Sequence, residues 1–264
     1  MRGDSALITI VVPVLNMERT ICRTIDSILS QSYQPREIIV VDGRSSDSTL
    51  EKLRRYGNRI DQLISEPDRG IYDAMNKGIA RARGEIIGIL NGDDYYANPQ
   101  VLRLYADRFA RSPADLIFAD LECFSAADEM KTVRIYSSRR FSPAKLRYGW
   151  MPPHPTLFVR NSVYHRIGAY RRDYRISADF EFLVRALWRH QLRYERIDAV
   201  VVRMQYGGTS SRNLAAVFRL NREIIRACRS NGLSTGWVRL ALKIPRKLLE
   251  FSPRLRRSAP RNAS

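Results

Sequence analysis

The chain has 264 residues and a hydrophobic fraction of 44%, which is enough for one large globular domain or a domain with an appended segment. Its 45 Lys and Arg residues outnumber 27 Asp and Glu residues, and the net charge of +18 predicts an anionic partner such as nucleic acid, an anionic membrane or a phosphorylated substrate. Three widely spaced cysteines argue against a disulfide framework or a zinc site and fit a reducing compartment: Cys22, Cys123 and Cys228.

The first third of the chain predicts alternating strands and helices. Apolar runs rich in β-branched residues predict strands at 7–15, 37–42, 60–65 and 86–90. The segments between them have helical spacing, at 21–29, 50–56 and 71–83. This alternation is typical of a parallel sheet flanked by helices. Neither G-x-G-x-x-G nor G-x-x-x-x-G-K-[ST] occurs, which disfavours a dinucleotide-binding Rossmann enzyme and a P-loop kinase.

After residue 100 the alternation loosens. The pattern predicts helices at 101–111, near 162–167 and at 177–190, the last with Ser177 as its cap. It predicts strands at 115–121, 131–137 (antiparallel) and 156–160, and one or two strands in 193–205. Residues 151–155 form a Pro-rich loop that is expected to be irregular. From Arg212 onward, apolar residues at helical spacing and an excess of basic residues predict two amphipathic helices and a disordered tail at 252–264. We therefore predict a catalytic domain at 1–212 and a basic helical extension at 213–264.

Acidic residues follow several of the predicted strands. Asp42 ends the second strand, Glu66 and Asp68 follow the third, and Asp93 and Asp94 follow the fourth in GEIIGILNGDDYY. Ligands of an open α/β sheet bind at the carboxyl ends of its strands, and two adjacent carboxylates are costly unless a cation faces them. Mg²⁺ and Mn²⁺ take carboxylate oxygens together with substrate phosphates. The pattern predicts a site for a metal-bound, phosphate-bearing ligand, although an isolated NGDD fits a solvated turn equally well.

Six motifs carry a resemblance to a known family: ITIVVPVLN, VVDGRSSDST, SEPDRGIYDAMNKGIARARGE, ILNGDDYY, SADFEFLVRAL and GGTSS. On these motifs, over roughly residues 6–212, the chain resembles a family 2 glycosyltransferase of the GT-A fold. EPDRGIYDAMNKGI followed by LNGDD is similar to the subgroup that builds colanic-acid-type and other bacterial surface polysaccharides. The resemblance implies an α/β fold with a mostly parallel sheet flanked by helices. It also implies a hexosyltransferase-type enzyme that uses a nucleotide-sugar donor, a saccharide or lipid-linked acceptor, and Mg²⁺ or Mn²⁺.

The same resemblance implies roles for residues on the nucleotide side. Pro13 and Asn16 are expected to line the nucleotide pocket, and Asp42 is expected to contact the base. Glu66 and Asp68 are expected beside the nucleotide or the donor sugar.

The later motifs imply the metal and the general base. Asp93 and Asp94 match the family's acidic metal-and-ribose motif, in which Asn91 stands where the family usually has its first Asp. We favour Asp94 as the metal ligand and Asp93 beside the ribose. Asp179 matches the acid that serves as general base in an inverting displacement, with Ala178 in place of the Glu that often precedes it.

Three further residues are candidates for acceptor or diphosphate contacts: His154, Ser210 and Arg212. For His154 a structural role is equally compatible with the sequence. The loop that contains Ser210 and Arg212 is compatible with a plain strand-to-helix linker.

The basic extension has three interpretations. It fits docking on an anionic cytoplasmic leaflet, and it fits simple packing on the catalytic domain. The third interpretation is nucleic-acid binding, which is not expected because the sequence has no zinc finger, helix-turn-helix or aromatic platform for single strands. The N-terminal apolar run is too short for a signal peptide, and no apolar run reaches roughly 18 residues. We therefore expect a cytoplasmic protein, peripheral on the inner face of the membrane. The alternatives in function are a non-catalytic scaffold of polysaccharide assembly and a metal-dependent nucleotidyltransferase.

Overall fold

A computed structural model describes residues 5–125, 127–206 and 214–241. Within these ranges nine strands join one sheet in the order β3-β2-β1-β4-β8-β6-β9-β5, with β7 paired to β6. The strands are β1 Ile8–Val14, β2 Arg36–Asp42, β3 Gln62–Ser65, β4 Ile86–Ile89, β5 Tyr95–Tyr96, β6 Leu116–Phe124, β7 Thr132–Tyr136, β8 Phe158–Arg160 and β9 Tyr194–Gln205.

The half of the sheet formed by β3, β2, β1 and β4 is parallel. Every residue of β1 and β4 is buried, as expected for parallel strands covered on both faces. Since the four strands share one direction, the residues that follow them gather at one edge of the sheet.

The other half of the sheet is mixed. β8 runs antiparallel to both β4 and β6, and β5 and β7 also pair antiparallel with their neighbours. β6 and β9 pair in parallel, with register shifts near Asp120. The sheet is therefore parallel only where the strand-helix alternation of the sequence is regular.

Helices cover the sheet on both faces. They are α1 Ile21–Leu29, α2 Thr49–Arg54, α3 Ile71–Arg81, α4 Val101–Arg111, α5 Asn161–Ile167, α6 Ala178–Val184, α7 Leu214–Ser230 and α8 Trp237–Ala241. α3 lies very close to β1, because a Cβ atom at Gly78 would stand 2.3 Å from a methyl group of Val11. This close approach fixes the start of α3 beside the carboxyl edge of the parallel strands.

Several details differ from the sequence-based expectations. The helix expected at 177–190 is α6 followed by a π-helical turn, Arg185–Arg189. Ser177 stands at the N-cap position as predicted, but its buried hydroxyl has no hydrogen-bond partner and makes no capping bond. The Pro-rich loop contains a short 3₁₀ turn, His154–Thr156, rather than wholly irregular chain. The two-residue strand β5 was not predicted, because so short a pairing leaves no periodic signal.

The described part of the basic extension packs on the rest of the chain. Ile224, Cys228 and Leu240 are buried in one apolar cluster with residues of α6 and β6. The proposed division at residue 212 stays a prediction, as does the disordered tail, which lies outside the described residues. Among the described helices, none has the length and apolarity needed to cross a bilayer.

Candidate active site

Asp42 lies at the carboxyl end of β2 and is completely buried. Its carboxylate accepts hydrogen bonds from the Ser45 amide at 3.2 Å and from the Ser65 hydroxyl at 2.7 Å, and the Ser45 hydroxyl also donates to it. Ser45 lies in the loop after β2, and Ser65 ends β3. A nucleotide base that bonds to Asp42 must therefore replace one of these hydroxyl partners.

Asn16 follows β1 and joins the loops after β1 and β2. Its side-chain oxygen accepts a hydrogen bond from the main-chain amide of Ser46 at 2.8 Å, and its main-chain amide donates to the Ser45 hydroxyl at 2.8 Å. Its φ of 54° lies in the left-handed region, where Asn is among the more readily accepted residues. Pro13 is buried inside β1, where it lies opposite Val41 of β2, so it belongs to the strand that carries this loop.

Asp68 reaches the loop after β2 from the other side. A Cβ atom at Gly43 would stand 2.2 Å from Asp68 Oδ2, so only glycine allows this approach. Glu66 points elsewhere: it is exposed and pairs with Lys77 at 3.0 Å. The main-chain amide of Glu66 donates to the carbonyl of Asp42 at 3.1 Å, so of the two acids predicted beside the donor it is the side chain of Asp68, and not that of Glu66, that contacts the loop after β2.

Asp93 and Asp94 lie in the loop after β4, which α1 holds in place. The Thr20 hydroxyl donates to the carbonyl of Gly92 at 2.8 Å, and the Thr24 hydroxyl donates to the carbonyl of Asp94 at 2.7 Å. Asp94 has no exposed surface, whereas Asp93 is partly exposed. An entering cation therefore meets Asp93 first.

The electrostatics of this loop disfavour two bare carboxylates. Burial, followed by the negative charge of Asp93, raises the pKa of Asp94 well above its usual range, despite a hydrogen bond of 3.0 Å from the Asn91 amide group. Burial also raises the pKa of Asp93, against the nearby positive charge of Arg23. Asn91 Oδ1 and Asp94 Oδ1 are both buried without a hydrogen-bond partner.

These oxygens suit a hard divalent cation. Two carboxylates and an amide oxygen are the ligand types that Mg²⁺ and Mn²⁺ prefer. Within the described ranges, no group of three or more His, Cys, Asp and Glu side chains could hold a metal ion by itself. The residues present fit a cation whose remaining ligands come from a bound diphosphate and water.

Asp179 lies in the first turn of α6 and contacts α3. Its Oδ1 accepts hydrogen bonds from the Tyr72 hydroxyl at 3.0 Å and from the Phe180 amide at 2.8 Å. The Tyr72 hydroxyl also lies 2.6 Å from the carbonyl oxygen of Ile176. Asp179 as a residue is partly exposed, and no hydrogen bond from the described residues reaches its Oδ2. One oxygen of the carboxylate is therefore held by hydrogen bonds, and the other has no hydrogen-bond partner among the described residues.

His154 lies in the same region and contacts Tyr170. The ring nitrogen Nε2 is 2.9 Å from the Tyr170 hydroxyl, and the ring of Tyr170 stacks on that of Tyr72 with centroids 5.9 Å apart. Burial lowers the pKa of His154, and the negative charge of Asp179 opposes that shift. The imidazole is therefore neutral at pH 7, which disfavours a charged contact to phosphate.

The site has two parts. We call Asn16, Asp42, Asp68, Asp93 and Asp94 the carboxylate edge, and we call Tyr72, His154, Tyr170 and Asp179 the tyrosine cluster. Ser210 and Arg212 lie outside the described residues, so their predicted contacts stay predictions.

Sequence reasoning missed two groups that hold Asp179. Tyr72 lies within the motif EPDRGIYDAMNKGI, so its place in that motif could have identified it as a candidate site residue. Glu223 of α7 accepts hydrogen bonds from the amides of Arg175, Ile176 and Ser177 at 2.9–3.0 Å, just before α6. No local signal links Glu223 to this segment, which lies 46–48 residues earlier in the chain.

The carboxylates lie at the carboxyl end of the parallel half-sheet, which is where open α/β sheets bind their ligands. A model of glycosyl transferase family 2 matches residues 9–167, which is more than half of the chain. The chain belongs to this family and is a glycosyltransferase, as the resemblance implied.

Two curated relatives are mycobacterial proteins. A PGL/p-HBAD biosynthesis glycosyltransferase of Mycobacterium bovis (strain BCG / Pasteur 1173P2) is 27% identical over 210 residues, which cover 78% of this chain and 79% of that protein. An uncharacterized glycosyltransferase of Mycobacterium tuberculosis (strain CDC 1551 / Oshkosh) is 32% identical over 167 residues, 62% of each chain.

Solved structures share the fold. S. aureus TarS 1-349 in complex with UDP-GlcNAc matches with a TM-score of 0.66 and 18% identity over 86% of this chain and 68% of that chain. A longer TarS chain is covered to only 40% of its length. The mannosyltransferase PcManGT from Pyrobaculum calidifontis, in complex with GDP-Man and Mn2+, matches with a TM-score of 0.59 and 18% identity over 94% of this chain and 81% of that chain. The GT-A-like fold predicted from the motifs is confirmed.

Proposed function

We propose that the protein transfers a sugar from a nucleoside diphosphate donor to a saccharide or lipid-linked acceptor in bacterial surface polysaccharide synthesis, with inversion at the anomeric carbon. The observation that carries the proposal is the pair of buried oxygens without a donor, Asn91 Oδ1 and Asp94 Oδ1. Buried polar atoms are rarely left unpaired. A divalent cation held by Asn91 and Asp94 would satisfy both oxygens and would supply positive charge for the donor diphosphate.

The chain's own residues divide the reaction between the two parts of the site. At the tyrosine cluster, Asp179 Oδ2 accepts the proton of the acceptor hydroxyl while the acceptor oxygen bonds to the anomeric carbon. The bond from that carbon to the diphosphate oxygen breaks on the opposite side, and the nucleoside diphosphate leaves with the electron pair. General-base help of this kind is worth roughly 10²–10⁴ in rate.

The carboxylate edge holds the donor. Asp94, with Asp93 and Asn91, would hold Mg²⁺ or Mn²⁺, which when bound neutralises charge on the leaving diphosphate. Asn16, Asp42 and Asp68 surround the place where the nucleoside would lie, and Asp93 is the partly exposed acid nearest the ribose. The neighbours that share the fold were solved with UDP-GlcNAc and with GDP-Man and Mn2+, and these ligands support a nucleotide-sugar donor here.

Thermal unfolding with nucleotides tests this proposal. The full chain is heated with UDP, GDP, dTDP or CMP, each with and without Mn²⁺. One nucleotide is expected to stabilise the protein in a Mn²⁺-dependent way, by roughly 2.7 kcal/mol at about a hundred times its dissociation constant. The absence of any shift with every nucleotide would contradict the proposal and favour the scaffold alternative.

We also propose that α7 and α8 dock on an anionic membrane. Their buried face packs on the domain, but Phe218, Trp237 and Val238 are exposed, and the rings of Phe218 and Trp237 stack with centroids 5.0 Å apart. The arginines of the two helices are Arg219, Arg222, Arg226, Arg229 and Arg239. Exposed aromatic residues beside basic residues suit the interface of anionic lipid, at about 1 kcal/mol for each basic residue near the surface. This surface would place the enzyme beside a lipid-linked acceptor.

Vesicle sedimentation tests the docking surface. The full chain should bind vesicles that contain phosphatidylglycerol and not vesicles of phosphatidylcholine alone, and the double variant Phe218→Ser, Trp237→Ser should lose most of the binding. Ile135→Ser, a change at an equally exposed apolar residue on β7, is the matched control and should bind as the parent does. Equal binding of the double variant and the parent would contradict this surface.

A further inference from the structure

We propose that Tyr72 is a positioning residue that fixes Asp179 Oδ1, so that Oδ2 is the atom that receives the acceptor proton. The proposal rests on the function proposed above, in which Asp179 is the general base. It assigns a task to a residue of α3 that lies 107 positions before Asp179 in the chain.

The two oxygens of Asp179 have different surroundings. Oδ1 accepts from the Tyr72 hydroxyl at 3.0 Å and from the Phe180 amide at 2.8 Å. The Phe180 amide belongs to the first turn of α6, where amides have no partner inside the helix, so this bond orients the carboxylate toward the helix start. With both bonds on Oδ1, a carboxylate can rotate little, and Oδ2 keeps its lone pairs for the substrate.

α3 also holds the chain segment that leads to Asp179. Asn76 exchanges two hydrogen bonds with the main chain of Tyr170, at 2.7 and 2.9 Å, and Asp73 pairs with Arg172 at 3.0 Å. The Tyr72 hydroxyl adds the contact to the carbonyl of Ile176 at 2.6 Å. Of these contacts from α3, only that of Tyr72 reaches the Asp179 carboxylate. Asn76 and Asp73 place the segment, and Tyr72 sets the side chain.

Tyr72 keeps its proton under all ordinary conditions. Burial, followed by the negative charge of Asp179, raises its pKa far above the usual value for tyrosine. The hydroxyl is therefore a permanent donor that Asp179 and Ile176 share, and it cannot itself act as the base.

A double-mutant cycle on turnover tests the assignment. Release of nucleoside diphosphate is measured for the parent, Tyr72→Phe, Asp179→Asn and the double variant, with the donor that the nucleotide screen identifies. An Asn at 179 can keep both hydrogen bonds on its Oδ1 and places an amide nitrogen where Oδ2 stood. Tyr72→Phe is expected to lower kcat about 10-fold and to leave the donor KM unchanged, because a misoriented base loses rate and not donor affinity. On the Asp179→Asn background the same change should cost nothing further.

The matched control is Tyr105→Phe. Tyr105 is also a buried tyrosine, and its hydroxyl also donates to a main-chain carbonyl, that of Thr156. The kcat of Tyr105→Phe should stay within about 2-fold of the parent. Equal losses from Tyr72→Phe in the parent and in the Asp179→Asn background would overturn the proposal. A parallel loss of kcat and rise of donor KM would overturn it as well, since that pattern indicates a general disturbance of the site.

A second readout separates this proposal from the function on which it rests. If the parent releases no product with any donor, the proposed function fails, while the contact itself is still measurable by unfolding. Tyr72→Phe should then lower the melting temperature of the parent by more than it lowers that of Asp179→Ala, which has no carboxylate to bond. Equal decreases in the two backgrounds would overturn the assignment of Tyr72 to Asp179.

Discussion

The carboxylate edge and the tyrosine cluster are built in opposite ways. At the carboxylate edge, each acid lies at a strand end or in the loop directly after a strand, and short contacts with neighbouring elements hold it. In the tyrosine cluster, the groups that meet come from α3, the Pro-rich turn, the segment between α5 and α6, and α6 itself. The contact between Tyr72 and Asp179 spans 107 residues. Strand order alone brings the acids of the carboxylate edge together. The contacts of the tyrosine cluster depend on how α3 packs against a segment that is distant in the sequence.

This contrast predicts separate failures. Changes at the carboxylate edge should weaken donor binding, and changes in the tyrosine cluster should slow turnover or alter stability while donor binding persists. Three variants test the division, from the largest expected effect to the smallest.

Asp94→Asn should remove the metal-dependent part of nucleotide binding. Without the carboxylate the cation loses its buried ligand, and we expect loss of the Mn²⁺-dependent stabilisation, roughly 2.7 kcal/mol at saturating nucleotide. Thermal unfolding with and without Mn²⁺ measures the effect. Asp93→Asn should instead weaken binding both with and without metal, and exposed Asp198→Asn should change neither. A parental Mn²⁺ response in Asp94→Asn would contradict the assignment of Asp94.

Gly43→Ala should weaken nucleotide binding about 10-fold, or roughly 1.4 kcal/mol, because the new Cβ atom displaces the Asp68 carboxylate that now stands 2.2 Å from that position. The free energy of unfolding without ligand should change by less than about 1 kcal/mol, since Asp68 can swing outward. Titration calorimetry with the preferred nucleotide measures the affinity. Gly236→Ala is the matched control, because a Cβ atom there meets nothing within 4 Å. If Gly43→Ala binds the nucleotide with parental affinity, Asp68 does not contribute to nucleotide binding at the carboxylate edge.

His154→Gln should flatten the dependence of stability on pH. The pKa of His154 is lowered in the folded state, so the unfolded chain binds the extra proton and stability falls as the pH drops below the unfolded value of about 6.5. The variant should lack this loss, which amounts to at most about 1.4 kcal/mol for each pH unit. Urea unfolding between pH 5 and 8 (about the range in which histidine titrates) measures it. His165→Gln, at an exposed histidine, is the control and should keep the parental slope. An unchanged slope in His154→Gln would contradict a partly buried, neutral imidazole at position 154.

The two regions also differ in what the sequence could predict. Strand runs, the acids that follow them and the family motifs placed Asp42, Asp93 and Asp94 at one sheet edge, and β1 to β4 formed as expected. The burial of Asp94 and the hydrogen bonds that Ser45 and Ser65 donate to Asp42 could not be predicted, because side-chain partners depend on how neighbouring loops meet.

The tyrosine cluster was predicted only in part. The motif SADFEFLVRAL pointed to Asp179, but nothing in a local pattern linked it to Tyr72 or placed Glu223 beneath the start of α6. Both are long-range contacts that only the packed structure creates. Ser177 was predicted in part: it stands at the N-cap position, but its hydroxyl makes no hydrogen bond, and Glu223 instead accepts hydrogen bonds from the amides of Ile176 and Ser177.

The measurement that tests the central claim most directly compares binding and turnover in Asp179→Asn. With the nucleotide sugar that the screen identifies, the variant should bind the donor with parental affinity and release nucleoside diphosphate roughly 10²–10⁴-fold more slowly. Release at the parental rate would show that Asp179 is not the base. Loss of donor binding would show that the carboxylate edge and the tyrosine cluster are one site with no such division.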